Sequence, residues 1–143
     1  MSDYAIVAAT EVENPYDDSD VPGAFRSLTE SLTESLGAEQ LAVTLIQVPP
    51  HSDFEQGSGH FHAEIEEIYL VTRGTLTMRF GDEVEEVPAG SAVRVAPHTP
   101  RSHRNRGEEP VEVWAVSRKT EREDATKIDD FWDSSPEATQ HRD

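Results

Sequence analysis

The chain has 143 residues, which is the length of about one domain. It contains no cysteine, so disulfides, thiolate metal sites and cysteine nucleophiles are excluded. Its 29 acidic residues against 12 basic ones give a net charge of −17, and a surface this negative argues against binding to nucleic acid or to anionic membranes.

The sequence shows no targeting signal or membrane-spanning segment. Its first residues lack a basic region followed by an apolar stretch, and no apolar run approaches the ~20 residues needed to span a membrane. We therefore expect a cytoplasmic protein. Lys119 and Lys127 are the only lysines, against ten arginines, and many carboxylates with few lysines are typical of a high-salt cytoplasm. A GC-rich genome would also favour arginine over lysine.

Residues 1–39 are predicted to form an N-terminal arm that packs on the main domain. Residues 5–9 are apolar and strand-like, and an acidic segment follows them. Leu28, Leu32 and Leu36 recur every four residues, which predicts a helical stripe, and Gly37 can end that helix.

Residues 40–118 contain short strands separated by turn residues, among them Gly74 and the Pro88-Ala89-Gly90 segment. The predicted strands are 41–48, 67–71, 75–80, 83–87, 92–95, 101–105 and 111–117. Short strands at this spacing predict an all-β sandwich or barrel. Residues 119–143 form a polar tail, in which we expect Ile128, Phe131 and Trp132 to pack as a short helix and the last ten residues to be loose.

A group of metal-ligand residue types precedes the second of these strands. His60 and His62 stand two residues apart, so in an extended strand they project from the same face. Glu67 opens the apolar run 68–71, and a buried carboxylate needs a partner. Two histidines and one carboxylate form a known ligand set for non-haem iron and similar metals. Glu64 and Glu66 compete with Glu67 for this role.

This stretch resembles the first motif of the cupin superfamily, in which a His-x-His pair is followed by a glutamate and then by a glycine. His60, His62, Glu67 and Gly74 match that motif in type and spacing. The resemblance implies an antiparallel double-stranded β-helix, or jelly-roll barrel, over residues 40–118. It also implies a divalent metal, which could be iron, manganese, nickel or zinc, and a homodimer, for which residues 5–9 would supply apolar surface.

The second cupin motif matches only in part. Residues 88–90 fit its middle and Asn105 fits its end, but Arg101 stands where the family has its fourth metal-binding histidine. His98 and His103 flank that position. Three outcomes stay open: His103 is the fourth ligand, the metal has only three protein ligands, or no metal binds and Arg101 neutralises Glu67 directly.

The resemblance implies a small-molecule ligand and leaves the reaction open. The first hypothesis is a metal-dependent dioxygenase, isomerase or lyase in which Arg101 and Tyr69 contact the substrate, with Arg101 suited to an anion. Tyr69, His103 and the glutamates are the candidate general bases. The alternative is a non-catalytic small-molecule-binding or structural cupin with a degenerate metal site.

If the negative surface is an adaptation to salt, the protein should become more stable as salt rises. At molar salt the Debye length falls to ~3 Å, so repulsion among surface carboxylates is screened. We expect the melting temperature to rise between low and molar KCl. A melting temperature that is flat or falls over that range would contradict the interpretation.

Overall fold

The computed structural model describes residues 3–13, 26–27, 30–120 and 124–133, and in these residues the chain folds into two antiparallel sheets that pack face to face. In chain order the strands are β1 (Arg26–Ser27), β2 (Leu41–Val48), β3 (Gly59–His62), β4 (Glu67–Arg73), β5 (Thr75–Phe80), β6 (Glu83–Pro88), β7 (Ala92–Val95), β8 (Arg101–Arg104), β9 (Val111–Arg118) and β10 (Ala125–Ile128). One sheet has the order β1-β2-β9-β4-β7 and the other β10-β3-β8-β5-β6. The predicted all-β antiparallel fold is confirmed.

The seven strands predicted between residues 41 and 117 are all present, and β2, β5 and β7 have the predicted bounds. The agreement follows from local signals, because alternating apolar residues and turn glycines act over a few positions. β1, β3 and β10 complete the sheets.

The hydrophobic core lies between the two sheets and is built from alternate residues of their strands. Val111, Val113 and Ala115 of β9 are buried, and they belong to the same cluster as the fully buried Leu76 and Met78 of β5. These strands belong to opposite sheets. Residues two apart on a strand therefore face the same interior, as the strand period requires.

Two positions of the cupin motifs serve the fold. Gly74 turns the chain from β4 to β5 with a φ of +73°, and a Cβ there would lie 2.6 Å from the carbonyl oxygen of Pro110. The side-chain amide of Asn105 donates hydrogen bonds to the carbonyl oxygens of Val48 at 3.1 Å and Glu109 at 2.7 Å. These contacts tie the end of β2 to the segment between β8 and β9.

The predicted N-terminal helix is present as α1 (Glu30–Leu36), and Gly37 ends it with a φ of +69°. Buried Leu32 packs with Val12 and with Leu45 of β2, so the helix covers the outer face of one sheet. Leu28 lies outside the described residues. In the described part of the chain, no helix is long and apolar enough to cross a membrane.

Residues 5–9 do not form a strand, although their composition suggested one. Residues 4–8 have no regular secondary structure and lead into a 3-10 turn, Ala9–Glu11. No strand edge among the described residues pairs with them. Tyr4 and Ile6 are exposed, while Val7 packs against the cluster around Leu32. The homodimer stays a prediction.

The helix predicted around Ile128, Phe131 and Trp132 is wrong. Their spacing suits one face of a helix, but residues 125–128 pair with the edge of β3, and Asp130 has a φ of +53° in the turn that follows. Edge pairing therefore overrides the helical spacing. The last ten residues, 134–143, lie outside the described residues.

Phe131 and Trp132 pack as expected, on the outer face of the sheet that contains β3, β8 and β5. The Arg79 guanidinium lies 4.5 Å from the centre of the Phe131 ring, and that of Arg104 lies 3.9 Å from Trp132. Trp132 Nε1 donates a hydrogen bond to Ser102 Oγ at 2.9 Å. The central part of this sheet, around Arg79 and Ser102, is thus covered on both faces.

Replacing Gly59 by Ala should destabilise the protein by about 1–3 kcal/mol, the usual effect of overpacking. A Cβ at this position would lie 2.6 Å from Phe131 Cδ2 and 2.8 Å from the carbonyl oxygen of Arg101, and the second atom is backbone. Urea unfolding would measure the change. Gly107→Ala is the matched control, because its nearest atom would be Asn105 Oδ1 at 3.5 Å. Equal stability of the two variants would contradict the packing.

Candidate metal centre

The six residues predicted to form the site lie on three strands from both sheets. His60 and His62 lie on β3, Arg101 and His103 on β8, and Glu67 and Tyr69 on β4. The strand faces that line the interior are therefore the ones that carry these alternate residues. β3 and β8 meet where His60 pairs with Arg101.

His60, His62 and Glu67 converge as predicted. One ligand atom from each lies within 4.8 Å of the others, and His62 Nε2 is 3.8 Å from Glu67 Oε1. The two imidazole rings meet edge to face with centres 5.1 Å apart. Atoms that bind one ion at ~2.1 Å lie at most ~4.2 Å apart, so small side-chain rotations would bring this set onto a metal.

Each histidine has a carboxylate beside its Nδ1 atom. Glu55 Oε2 lies 3.0 Å from His60 Nδ1, and Asp124 Oδ2 lies 3.6 Å from His62 Nδ1. A carboxylate at Nδ1 favours the tautomer with the proton on that nitrogen, which leaves the Nε2 lone pair available to a ligand. Burial lowers the pKa of His62 below its ordinary value of 6.5, so the imidazole stays neutral, as a metal ligand must.

Sequence reasoning missed Glu55 and Asp124. Glu55 stands five residues before His60, in the loop that leads into β3. This short separation in the chain could have predicted that the two side chains lie close together. Asp124 comes from the tail, and no local pattern connects it with β3.

Arg101 forms the ion pair with Glu67 that was one of the open alternatives. Its Nη2 atom lies 2.9 Å from Glu67 Oε1, and its Nη1 atom donates to the carbonyl oxygen of Thr99 at 3.1 Å. Arg101 is fully buried, with 0% of its surface exposed. Its guanidinium is a fixed positive charge beside the ligand group.

Tyr69 supports the same carboxylate. Burial raises the pKa of Glu67, but hydrogen bonds from Tyr69 and Arg101 outweigh burial and hold that pKa below its ordinary value of 4.5. Burial also raises the pKa of Tyr69 well above its ordinary value of 10.0, with the nearby Glu67 charge adding to the effect. The Tyr69 hydroxyl therefore stays protonated near neutral pH and acts as a donor, not as a general base.

His103 lies near this group but outside it. Its ring stacks on Phe54 with centres 6.1 Å apart and meets the edge of Tyr69 at 6.4 Å, and it is not among the residues whose ligand atoms converge. His103 comes two residues after Arg101 on β8, so it lies about 7 Å further along the strand. Burial lowers its pKa below the ordinary 6.5. His98 is exposed in a turn, with a φ of +67°.

The charges around the ligand group suit a divalent cation. The carboxylates of Glu55, Glu67 and Asp124 each lie beside a histidine of the group. Among the described residues, Arg101 is the one cation in contact with it. Three negative charges and one positive charge give the site a net charge of −2. An ionised carboxylate has about four acceptor positions, so Glu67 can accept from Arg101 and Tyr69 and still bind an ion. The residues present therefore fit a metal held by three protein ligands.

Comparisons with known proteins agree with this architecture. A cupin superfamily structure from Silicibacter pomeroyi, described as a sugar phosphate isomerase, matches with a TM-score of 0.66 and 20% identity, over 92% of this chain and 96% of that one. A predicted oxalate decarboxylase from Thermotoga maritima matches with a TM-score of 0.61 and 19% identity, over 81% of this chain and 100% of that one. A Klebsiella pneumoniae protein with a double-stranded β-helix domain matches with a TM-score of 0.63 and 16% identity, over 87% and 96% of the two chains.

These identities are low, so the structural matches establish the fold alone. No curated protein sequence matches the chain. The family model described as a cupin domain matches residues 44–117, which is just over half of the chain and runs from β2 to β9. The chain therefore belongs to the cupin family, and its fold is the double-stranded β-helix that the first motif implied.

Proposed function

We propose that this protein is a cupin that binds one divalent metal through His60, His62 and Glu67 and acts on a small anionic molecule. One observation carries the proposal. Three metal-type ligand atoms lie within 4.8 Å of one another, and both imidazoles have a carboxylate beside Nδ1. That arrangement is the one by which proteins orient histidine ligands.

Imidazole and carboxylate ligands suit iron, manganese, nickel or zinc. When bound, such an ion would act as a Lewis acid on an oxygen of the substrate. The chain's own residues would hold the site in place: Arg101 and Tyr69 orient the Glu67 carboxylate through hydrogen bonds. Arg101 also offsets part of the negative charge that would otherwise repel an anion.

His103 is the residue best suited to move a proton. It is 3% exposed, its lowered pKa keeps the ring neutral, and its Nδ1 atom is buried without a hydrogen-bond partner in the described part of the chain. A neutral imidazole can accept a proton at such an atom. We therefore assign His103 the role of general base, in preference to a fourth ligand.

Two features support an anionic substrate. A bound divalent ion would balance the net negative charge of the site, and Arg101 is a second fixed positive charge in the interior. The structural relatives described as a sugar phosphate isomerase and a predicted oxalate decarboxylase are named for anions. Isomerase, lyase and dioxygenase chemistry all remain compatible with a three-ligand site.

The Arg101–Glu67 ion pair supports a second candidate function, a non-catalytic binding cupin with a degenerate site. A guanidinium stands where the family's fourth histidine ligand is expected, and it already neutralises Glu67 at 2.9 Å. In this version the interior binds a small molecule without a metal. Metal content separates the two candidates.

We expect chelator-treated protein, dialysed against iron, manganese, nickel or zinc, to retain about one equivalent of at least one of them, and His62→Ala to retain less than about a tenth. Removing one of three ligands leaves too few donors for stable binding. Elemental analysis of the purified protein would measure the content. His51→Asn is the control, because His51 is exposed, pairs with Glu108 and has a φ of +54° that asparagine tolerates. Wild-type protein that retains none of the four metals would exclude the metal site.

Arg101→His should raise metal affinity about tenfold or more, because it removes a positive charge and supplies an imidazole ligand. Isothermal titration with Zn²⁺ would measure the change. Arg101→Met separates the two causes, since it removes the charge and adds no imidazole. Circular dichroism of the metal-free variants shows whether each is folded.

A folded Arg101→His protein that binds Zn²⁺ no better than wild type would contradict this account of Arg101. Binding by Arg101→His alone, with none by wild type, would favour the second candidate function.

A further inference from the structure

The strand that carries both histidines depends on the C-terminal segment of the chain. β10 pairs with β3 at four positions, from Ala125 opposite His62 to Ile128 opposite Gly59. On its other side β3 pairs with β8 at one position, His60 opposite Arg101. β10 lies outside the residues that match the cupin family model, so the matched region alone leaves β3 weakly paired.

Asp124, immediately before β10, is fixed at the end of β3. Its carboxylate accepts hydrogen bonds from the backbone N–H groups of Ala63, Glu64 and Ile65, each at 3.2 Å. These three residues follow His62 directly. These hydrogen bonds fix the bend that follows β3, and they also fix the position of the Asp124 carboxylate.

The same carboxylate faces the metal-ligand candidate. Asp124 Oδ2 lies 3.6 Å from His62 Nδ1, which is buried and makes no hydrogen bond within the described residues. A shift of about half an ångström would make this contact a hydrogen bond. On the opposite side of the ring, His62 Nε2 faces Glu67 Oε1 at 3.8 Å.

The far end of the segment is also fixed. Trp132 Nε1 donates to Ser102 Oγ at 2.9 Å, and Ser102 Oγ donates in turn to the carbonyl oxygen of Ser58, the residue before β3. The segment 124–133 is therefore attached near both ends of β3. The contact between Asp124 and His62 therefore lies in a segment that hydrogen bonds fix at both ends.

We propose that Asp124 is a positioning residue for His62, and that the C-terminal segment 124–133 thereby completes the metal site of this chain. The proposal rests on the proposed function in so far as His62 is a ligand. Asp124 favours the Nδ1–H tautomer and the ring orientation that direct the Nε2 lone pair towards Glu67.

Two variants test the role of the carboxylate. Asp124→Asn keeps the side-chain size and removes the charge, and Asp124→Ala removes both acceptor atoms. Asp129→Asn is the matched control, since Asp129 lies in the same segment, is exposed and pairs with Lys127. The first measurement is the tautomer of His62 in metal-free protein in mildly alkaline buffer, from its ring ¹⁵N chemical shifts. The second is the affinity for Zn²⁺ by isothermal titration.

In wild-type protein and in the control, His62 should carry its proton on Nδ1. In both Asp124 variants the population should shift towards the Nε2–H tautomer, and Zn²⁺ affinity should fall about 10- to 100-fold, as is usual for loss of such a partner. A residue that only caps the turn would lower stability without changing the tautomer.

An Nε2–H tautomer in metal-free wild-type protein would overturn the proposal, whether or not the variants fold. An unchanged tautomer in the Asp124 variants would also overturn it, and so would a Zn²⁺ affinity within about twofold of that of a control that binds Zn²⁺. Wild-type protein that binds no Zn²⁺ but shows the expected tautomer shift would contradict zinc ligation and leave the positioning role of Asp124 intact.

Discussion

The ion pair between Glu67 and Arg101 is the constraint on which the interior depends. Glu67 lies on β4 of one sheet and Arg101 on β8 of the other, so the 2.9 Å contact joins the two sheets across the core. A carboxylate or a guanidinium alone would be strongly destabilising in such a place. Tyr69 adds a third member, and together the three fix the orientation of the carboxylate that the proposed metal would share.

The interior and the surface use charge differently. Many carboxylates of the described residues are exposed and some of them pair with arginines, whereas Glu55, Glu67 and Asp124 each contact a histidine in the cluster. One arginine offsets part of their charge, and the remainder matches a divalent cation. Under the proposed function, Arg101 supplies a fixed positive charge at the position where the cupin motif has a histidine ligand.

The C-terminal segment gives the second sheet an unusual environment. Thr77 and Arg79 point away from the core on β5, yet both are buried, and Phe131 and Trp132 cover the neighbouring outer face. Alternation of apolar and polar residues would suggest a solvated face here. Cation–π contacts with Arg79 and Arg104 make the polar side chains compatible with that cover.

The sequence by itself determined the seven central strands and the position of His60 and His62 on one face of a strand. It also indicated Glu67, rather than Glu64 or Glu66, as the carboxylate that lies near the two histidines. All of these follow from signals that act over a few residues, namely the two-residue strand period, turn glycines and a charge at the head of an apolar run. Only the tertiary structure decided that Arg101 pairs with Glu67, that His103 stands apart, and that Asp124 reaches His62. Those contacts join residues far apart in the chain, and the β10 pairing that creates the last of them places no requirement on residue type, because strand edges pair through backbone groups.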